Sequence, residues 1–436
     1  MNTFKIYKDY KESGIEWLNK IPSEWNLIKL SRLIKIFGSI DVEESITEGY
    51  DYFKVDSLNY AEGLYVKEST SKVLSSKSPL EPNLILIPKR GAAIFTNKVK
   101  ITSKPCYIDP NVMAIRTERV EIEYLAYYLL ARRLEDIADV STIPQINNKQ
   151  INSIQLPIPT ITEQKKISRF LKYKTKEIDS LINYKSKLIK LLEEKRQLMI
   201  TKAVTKGLNP NVKMKDSGVE WIGEIPEHWE CLKFKYSGKL INGYAFPSGD
   251  FTTSGVRVMK ITNIQSMKID WGDESFVDKV YYDKLPQFRV HKDDLVFALT
   301  RPIISSGIKA AIVNTEEKIL LNQRNALYRS GNKIMSTWLY YIMLHKLFVQ
   351  EFESYIDQTG QQPNISSADI ENIKIPVPTL EEQHEIGSYL DNKSTVIDNV
   401  IEENKQLIEK LKEYRQSLIY EAVTGKIDVR DFEIEE

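Results

Sequence analysis

Seven basic side chains crowd residues 85–119: Lys89, Arg90, Lys98, Lys100, Lys104, Arg116 and Arg119. Only Asp109 and Glu118 oppose them, a local net of +5. Further along, Arg301, Lys309, Arg324 and Arg329 follow apolar runs at comparable places. Ammonium and guanidinium groups neutralise phosphates, and Arg, Asn and Gln can make paired hydrogen bonds to purine edges in the major groove. Amides suited to the second task are Asn263, Gln265, Asn322, Gln323 and Gln361, and Tyr244 and Phe246 in NGYAFPSG offer aromatic faces to bases or sugars. Each of these residues alone reads as a solvated charge or loop filler. Their repeated arrangement is the signal.

Catalysis needs a constellation, and the sequence offers none. There is no glycine-rich phosphate loop, dinucleotide fingerprint or GxSxG elbow. His228, His291, His345 and His384 stand apart from one another, outside any zinc-ligand spacing. Asp109-Pro110-Asn111 is not the Asn/Asp-Pro-Pro-aromatic segment of an adenine methyltransferase, and Asp293-Asp294 reads as a turn before an apolar strand. The expectation is a binding protein, not an enzyme, with no cofactor or metal of its own. Its 436 residues predict two or more domains, and 42% hydrophobic content suffices for sizeable cores. With 61 basic and 60 acidic side chains, any basic face must be local. Cys106 and Cys231 cannot build a disulfide framework, which fits a reducing compartment. The N-terminus lacks the apolar stretch of a signal peptide, and no apolar run is long enough to cross a bilayer. A soluble, cytoplasmic protein is expected.

The elements that position these residues come in duplicate. KESGIEWLNKIPSEW (11–25) returns as KDSGVEWIGEIPEHW (215–229), with eight of fifteen positions identical at an offset of 204. A second block, IPQINNKQINSIQLPIPTITEQKKISRFL around Pro144, returns as QPNISSADIENIKIPVPTLEEQHEIGSYL around Pro363, now at an offset of 219. That match runs through Ile178-Asp179 and Ile397-Asp398 to RQLMITKAVT and RQSLIYEAVT. The chain is motif, variable region, helix block, and then the same again. Similar flanks around dissimilar interiors suggest one scaffold carrying two different readers.

Each helix block predicts a single long helix. Thr160 and Glu163 set a capping-type start, and Ile167, Leu171, Ile178, Leu181, Ile182, Leu188, Leu192 and Met199 recur at helical and near-heptad spacing. The partner run is Ile386, Leu390, Ile397, Val400, Ile401, Leu407, Leu411 and Leu418, with Gly425 at the C-terminal cap. About 45 residues at ~1.5 Å each gives helices near ~67 Å, lengths that suggest a coiled coil. Residues 161–206 carry a net +8 and residues 380–426 a net −4, which favours antiparallel pairing of the two helices with each other.

The expected layout is the first motif at 1–25, a recognition domain at 26–142 and a helix block at 143–206. A linker with the second motif follows at 207–229, then a second domain at 230–362, a helix block at 363–426 and a tail at 427–436. Strand-like runs NLILIP (83–88), DDLVFAL (293–299) and AAIV (310–313) precede YLAYYLLARRLEDI and TWLYYIMLHKLFVQEF. Strands first and helices later predict α+β domains. Paired helices between two similar domains imply a pseudo-two-fold repeat presenting one reader to each half of a DNA site, with the helices as a ruler for the gap.

The doubled SGxEWxxxIPxxW, the IPxP–EQ–long-helix–RQ–AVT blocks at 157–205 and 376–424, and TGQQPNIS at 359–366 resemble specificity subunits of type I restriction–modification systems. The resemblance covers nearly the whole chain. It implies two target recognition domains, each reading half of a split, asymmetric double-stranded DNA sequence, and two helical spacers that dock two methyltransferase subunits. Restriction/translocase subunits complete the complex, and S-adenosylmethionine, ATP and Mg belong to the partners. Carried over by position, Arg90 and Arg301 follow a strand leading to a DNA-facing loop, and Lys54 and Lys260 follow comparable early strands. Gln361–Ser366 matches the family motif, whereas the first domain departs from it with STIPQIN at 141–147. The resulting candidates for DNA contact are Lys54, Lys89, Arg90, Lys98, Arg116, Tyr244, Lys260, Asn263, Arg301, Lys309, Gln323, Arg324 and Gln361. Two other readings stand beside this one. A coiled-coil scaffold that never touches DNA would be excluded by salt-dependent, sequence-selective binding of the assembled complex. A chain with methyltransferase or nuclease activity of its own would reveal it on incubation with DNA and cofactors.

Overall fold

The computed structural model describes residues 4–45, 48–69, 71–139, 143–358 and 362–433. The chain divides into two compact units. The first is Met1–Ser186 with Asn404–Glu436, and the second is Lys187–Glu403. Each unit thus holds the first part of one long helix and the last part of the other.

The repeated motif folds into a short antiparallel hairpin. Tyr10–Glu12 pairs with Lys20–Pro22 in the first unit, and Met214–Asp216 with Glu224–Pro226 in the second, in the same register. Its turn needs two left-handed backbone positions. Gly14 (φ 72°) and Gly218 (φ 67°) fill one, and Asn19 (φ 57°) and Gly223 (φ 67°) fill the other. Glycine and asparagine are the residues that adopt this conformation with least strain, which accounts for the glycine in both copies of the motif. The motif closes on Trp25 and Trp229, both fully buried.

Both units are built on one central sheet. In the first its order is Ile34–Phe37, Val112–Thr117, Leu84–Pro88, Lys100–Thr102, paired antiparallel, then Tyr65–Val66, parallel to the last, and Ala61–Glu62. In the second the order is Gly238–Asn242, Asn325–Ser330, Leu295–Ala298, Ala310–Ile312, again antiparallel. Beside it each unit has a parallel pair, Asp51–Phe53 with Cys106–Ile108 and Arg257–Met259 with Ile319–Leu321. Leu84–Pro88 and Leu295–Ala298 are buried along their whole length, which explains why they read as continuous apolar runs without alternation. A helix then covers the sheet, Ile122–Arg132 in one unit and Ser336–Met343 in the other. The α+β expectation holds in both units.

The long helices are Ile161–Lys206 and Leu380–Val423, of 46 and 44 residues. Thr160 Oγ1 accepts the Glu163 N–H at 3.3 Å, the N-terminal cap the spacing predicts, and Thr379 Oγ1 accepts the Glu382 N–H at 3.2 Å in the same way. Gly207 and Gly425 end them in the left-handed conformation (φ 70° and 71°). In the first unit Ile178 shares a core with Leu418, and Arg415 reaches Asp179 at 2.9 Å. In the second, Ile200 and Val204 share a core with Ile386 and Leu390, and Arg196 pairs with Asp398. Asp179/Asp398 and Arg196/Arg415 lie 219 apart, so one ion pair has been built twice. In each unit the start of one helix lies beside the end of the other, an antiparallel contact.

Gly425 has no room for a side chain. A Cβ there would lie 2.4 Å from Pro22 Cδ and 3.2 Å from the Trp25 ring, on a backbone that penalises any Cβ. Gly425→Ala is expected to destabilise the first unit by about 2–4 kcal/mol in denaturant unfolding. In the second unit His345 is buried against Trp221, 5.6 Å between ring centroids, and its Nδ1 accepts the Phe348 N–H at 3.2 Å. Burial pushes the imidazole down to about 4. The unfolded chain takes up this proton near the ordinary value of ~6.5, so the stability is complete above that pH. It is lost as pH falls toward 4, at about 1.4 kcal/mol per pH unit. Unfolding of wild type and His345→Gln across this range should show the variant with the shallower acid loss. Parallel profiles would remove His345 as the cause.

Candidate nucleic-acid interface

At one end of each central sheet four segments meet, joined by backbone hydrogen bonds that recur bond for bond. In the first unit the Lys89 N–H donates to the Asn111 carbonyl (2.7 Å), Gly91 to Pro144 (2.8 Å), Ile146 to Lys89 (2.9 Å), Val112 to Asp109 (2.9 Å) and Asp109 to Phe53 (3.1 Å). In the second, Leu299 donates to Arg324 (2.9 Å), Arg301 to Pro363 (2.8 Å), Ile365 to Leu299 (3.0 Å), Asn325 to Asn322 (3.0 Å) and Asn322 to Met259 (3.1 Å). Two further bonds close each cluster, between Asp139 and Gln145 and between Asp357 and Asn364. Bonds of this kind depend on backbone position alone, so the scaffold tolerates different side chains.

The shared bonds fix which residues correspond. Lys54 stands where Lys260 does, Lys89 where Leu299 does, Arg90 where Thr300 does, and Gly91 where Arg301 does. Asn111 answers to Arg324 and Gln145 to Asn364. Arg90 and Arg301, which both follow such a strand, therefore stand one residue out of register with each other. The two strands enter their loops from Pro88 and Ala298, and the Gly91 and Arg301 N–H groups, not the sequence offset, set the register.

Several predicted residues come together in these clusters. Lys89 and Arg90 are exposed on the first, and Arg301, Gln323 and Arg324 on the second. Among the described residues the structure gives none of these five side chains an ion-pair or hydrogen-bond partner. Lys54 sits over the Tyr52 ring, 5.5 Å from its centroid, and Lys260 is held by Asp273 at 2.9 Å. That bond, with a second from Thr262, keeps the Asp273 carboxyl below the usual range. Lys98 is half-buried, at the exit of the turn Ala92–Thr96. Gln361 lies outside the described residues.

Four other candidates make local contacts. Asn263 is fully buried, its Oδ1 accepting from Lys260 N–H and its Nδ2 donating to the Asp270 and Asp273 carbonyls, so it staples its own loop. Lys309 is buried with its Nζ on the Ile261 carbonyl at 2.6 Å, and burial lowers its pKa. Tyr244 packs edge-on against Phe246 and tilted against Phe288 within an aromatic core. Arg116 lies four residues along its strand from the cluster, over the Phe37 ring at 5.4 Å. In each case local packing takes up a group whose residue type suggested a ligand. Sequence reading missed Gln145, Asn111, Thr300 and Asn364 as cluster members. Gln145 and Asn364 sit beside the Pro144/Pro363 match at offset 219, a signal that could have placed them.

A scaffold built twice, each copy ending in an exposed cluster of basic and amide groups, defines a duplicated recognition protein. The chain matches the family model described as type I restriction modification DNA specificity domain twice, over residues 22–191 and 226–413, and it belongs to that family. Among relatives, it is 29% identical to the type I restriction enzyme MjaVIII specificity subunit of Methanocaldococcus jannaschii, covering 98% of this chain and 99% of that one. It is 22% identical to the EcoBI specificity subunit of Escherichia coli, over 96% and 90%. Its fold is similar to a chain from a structure of a type I R-M system (TM-score 0.69, 15% identity, 92% of this chain and 98% of that one). It is also similar to the HsdS subunit from Thermoanaerobacter tengcongensis (TM-score 0.53, 14% identity, 95% and 100%). The family carries DNA sequence specificity, and the scaffold reading without DNA readout is not favoured. Among the described residues no helix is long and apolar enough to cross a membrane.

The placement of the polar residues separates structural from surface roles. Asn263→Ala should destabilise the second unit by about 1–3 kcal/mol by stranding buried backbone groups. Gln323→Ala should shift stability by no more than about 0.5 kcal/mol. Thermal unfolding of both variants checks this, and equal stabilities would overturn the assignment of Asn263 as a staple.

Proposed function

We propose that this chain is the sequence-reading subunit of a type I restriction–modification complex and is not itself a catalyst. Each loop cluster contacts one half of a bipartite, asymmetric site in double-stranded DNA. The carrying observation is the pair of clusters: the same seven backbone bonds in each unit, with different side chains mounted on them. A common frame carries Lys89 and Arg90 on one copy and Arg301 and Arg324 on the other, so that exposed positive charge faces DNA in both half-sites. It also presents different hydrogen-bonding groups to the bases. The long helices set the unread gap and dock two methyltransferase subunits. Restriction/translocase subunits join that core in the cytoplasm. S-adenosylmethionine, ATP and Mg act in those partners.

Methylated adenines mapped genome-wide with the gene intact and deleted should show a split, asymmetric motif that disappears on deletion. An unchanged map, with no sequence-selective, salt-dependent DNA binding by the reconstituted complex, would refute the reading. Replacing residues 26–142 with another recognition domain should change one half of the motif only. Helical insertions at matched levels of both long helices should change the gap and leave both halves intact.

A further inference from the structure

We infer that Arg301 is the guanine-reading anchor of the second domain, aimed by a left-handed backbone that its loop imposes. The inference rests on the DNA-reading function proposed above. Arg301 has φ 47°, and its counterpart Gly91 has φ 85°. In both loops the N–H at this position must reach a proline carbonyl at 2.8 Å, Pro363 in one and Pro144 in the other. Each loop therefore holds a positive φ at this position. Glycine meets the demand without strain, while an arginine Cβ is pressed toward its own carbonyl oxygen. A strained residue kept where glycine would serve is a marker of function.

The surroundings identify the ligand chemistry. Arg301 is exposed, and among the described residues no carboxylate pairs with it. The neighbouring segment brings Arg324, whose carbonyl is held by the Leu299 N–H, and exposed Gln323. Two exposed guanidinium groups on adjacent loops, neither paired with a carboxylate among the described residues, are suited to an electron-rich partner. A guanidinium fork matches O6 and N7 of guanine in the major groove, and an amide beside it suits an adjacent base edge. The first domain has no side chain at this position. Its cations stand at the places of Leu299 and Thr300, so it reads by a different geometry.

Arg301→Gly tests the assignment in the complex assembled with its methyltransferase subunits. Glycine is the residue the sister loop uses, so the melting temperature should be equal or higher. The first half-site should be unchanged, and affinity for the cognate site should fall roughly ten- to hundred-fold. Discrimination at one G·C pair of the second half-site should disappear. Arg301→Asn, which tolerates the same backbone, should behave alike, and Arg301→Lys should restore charge without restoring the discrimination. A second half-site read as in wild type by Arg301→Gly would overturn the proposal. So would an equal loss of affinity on every sequence, which marks a phosphate contact. A wild-type complex with no bipartite motif would instead overturn the DNA-reading function itself.

Discussion

Each unit is held together where an indole is pressed between the beginning of one long helix and the end of the other. Trp25 donates its N–H to Glu163, in the first turn of Ile161–Lys206, at 3.3 Å, while its ring lies against Gly425, just past the end of Leu380–Val423. Trp229 does the reverse, donating to Glu382 at 3.2 Å with its ring against Gly207. A fully buried indole contributes a large apolar area and one polar handle that must be satisfied. Here the helix N-terminus supplies the acceptor and the glycine cap supplies the space. The hairpin lies directly before each tryptophan.

The two joints solve one electrostatic problem with different residues. Glu163 is buried and accepts from Tyr7 at 2.7 Å as well as from Trp25. Burial and this carboxylate both push the Tyr7 hydroxyl up, so it stays a donor. Arg430, anchored on Asp428, stacks over the Tyr7 ring. In the second unit His228 bonds Glu382 at 2.9 Å. Burial works to raise the Glu382 carboxyl, but bonds from His228 and Trp229 outweigh it and hold it below the usual range. A guanidinium supports one joint and an imidazole the other, although the motif is the same.

What was legible in the sequence was whatever repeats at constant spacing. The doubled motif, the extents of both long helices, the threonine cap at 160 and the glycine at 425 all follow from local patterns that need no tertiary knowledge. The recognition loops were harder because the offset between the two copies drifts through the variable regions. Lys54 and Lys260 are 206 apart, Gly91 and Arg301 are 210 apart, and Asn111 and Arg324 are 213 apart. No pairwise reading could choose among these without the backbone bonds. Asn263 and Lys309 misled for a related reason. A polar residue in a divergent stretch looks like a ligand until burial shows that it completes its own loop.

The recognition clusters are framed by main-chain groups alone, and this bears on how such a protein changes over generations. An exchange at position 90, 111, 323 or 324 leaves every bond of the frame in place, so novelty there is shielded from the threshold below which the fold fails. Positions 91 and 301 are different, because their backbone filters which residues can enter without penalty. The accessible repertoire of target sequences is therefore uneven. It is broad where the frame presents residues of ordinary negative φ and narrow at the one turn where glycine is the default.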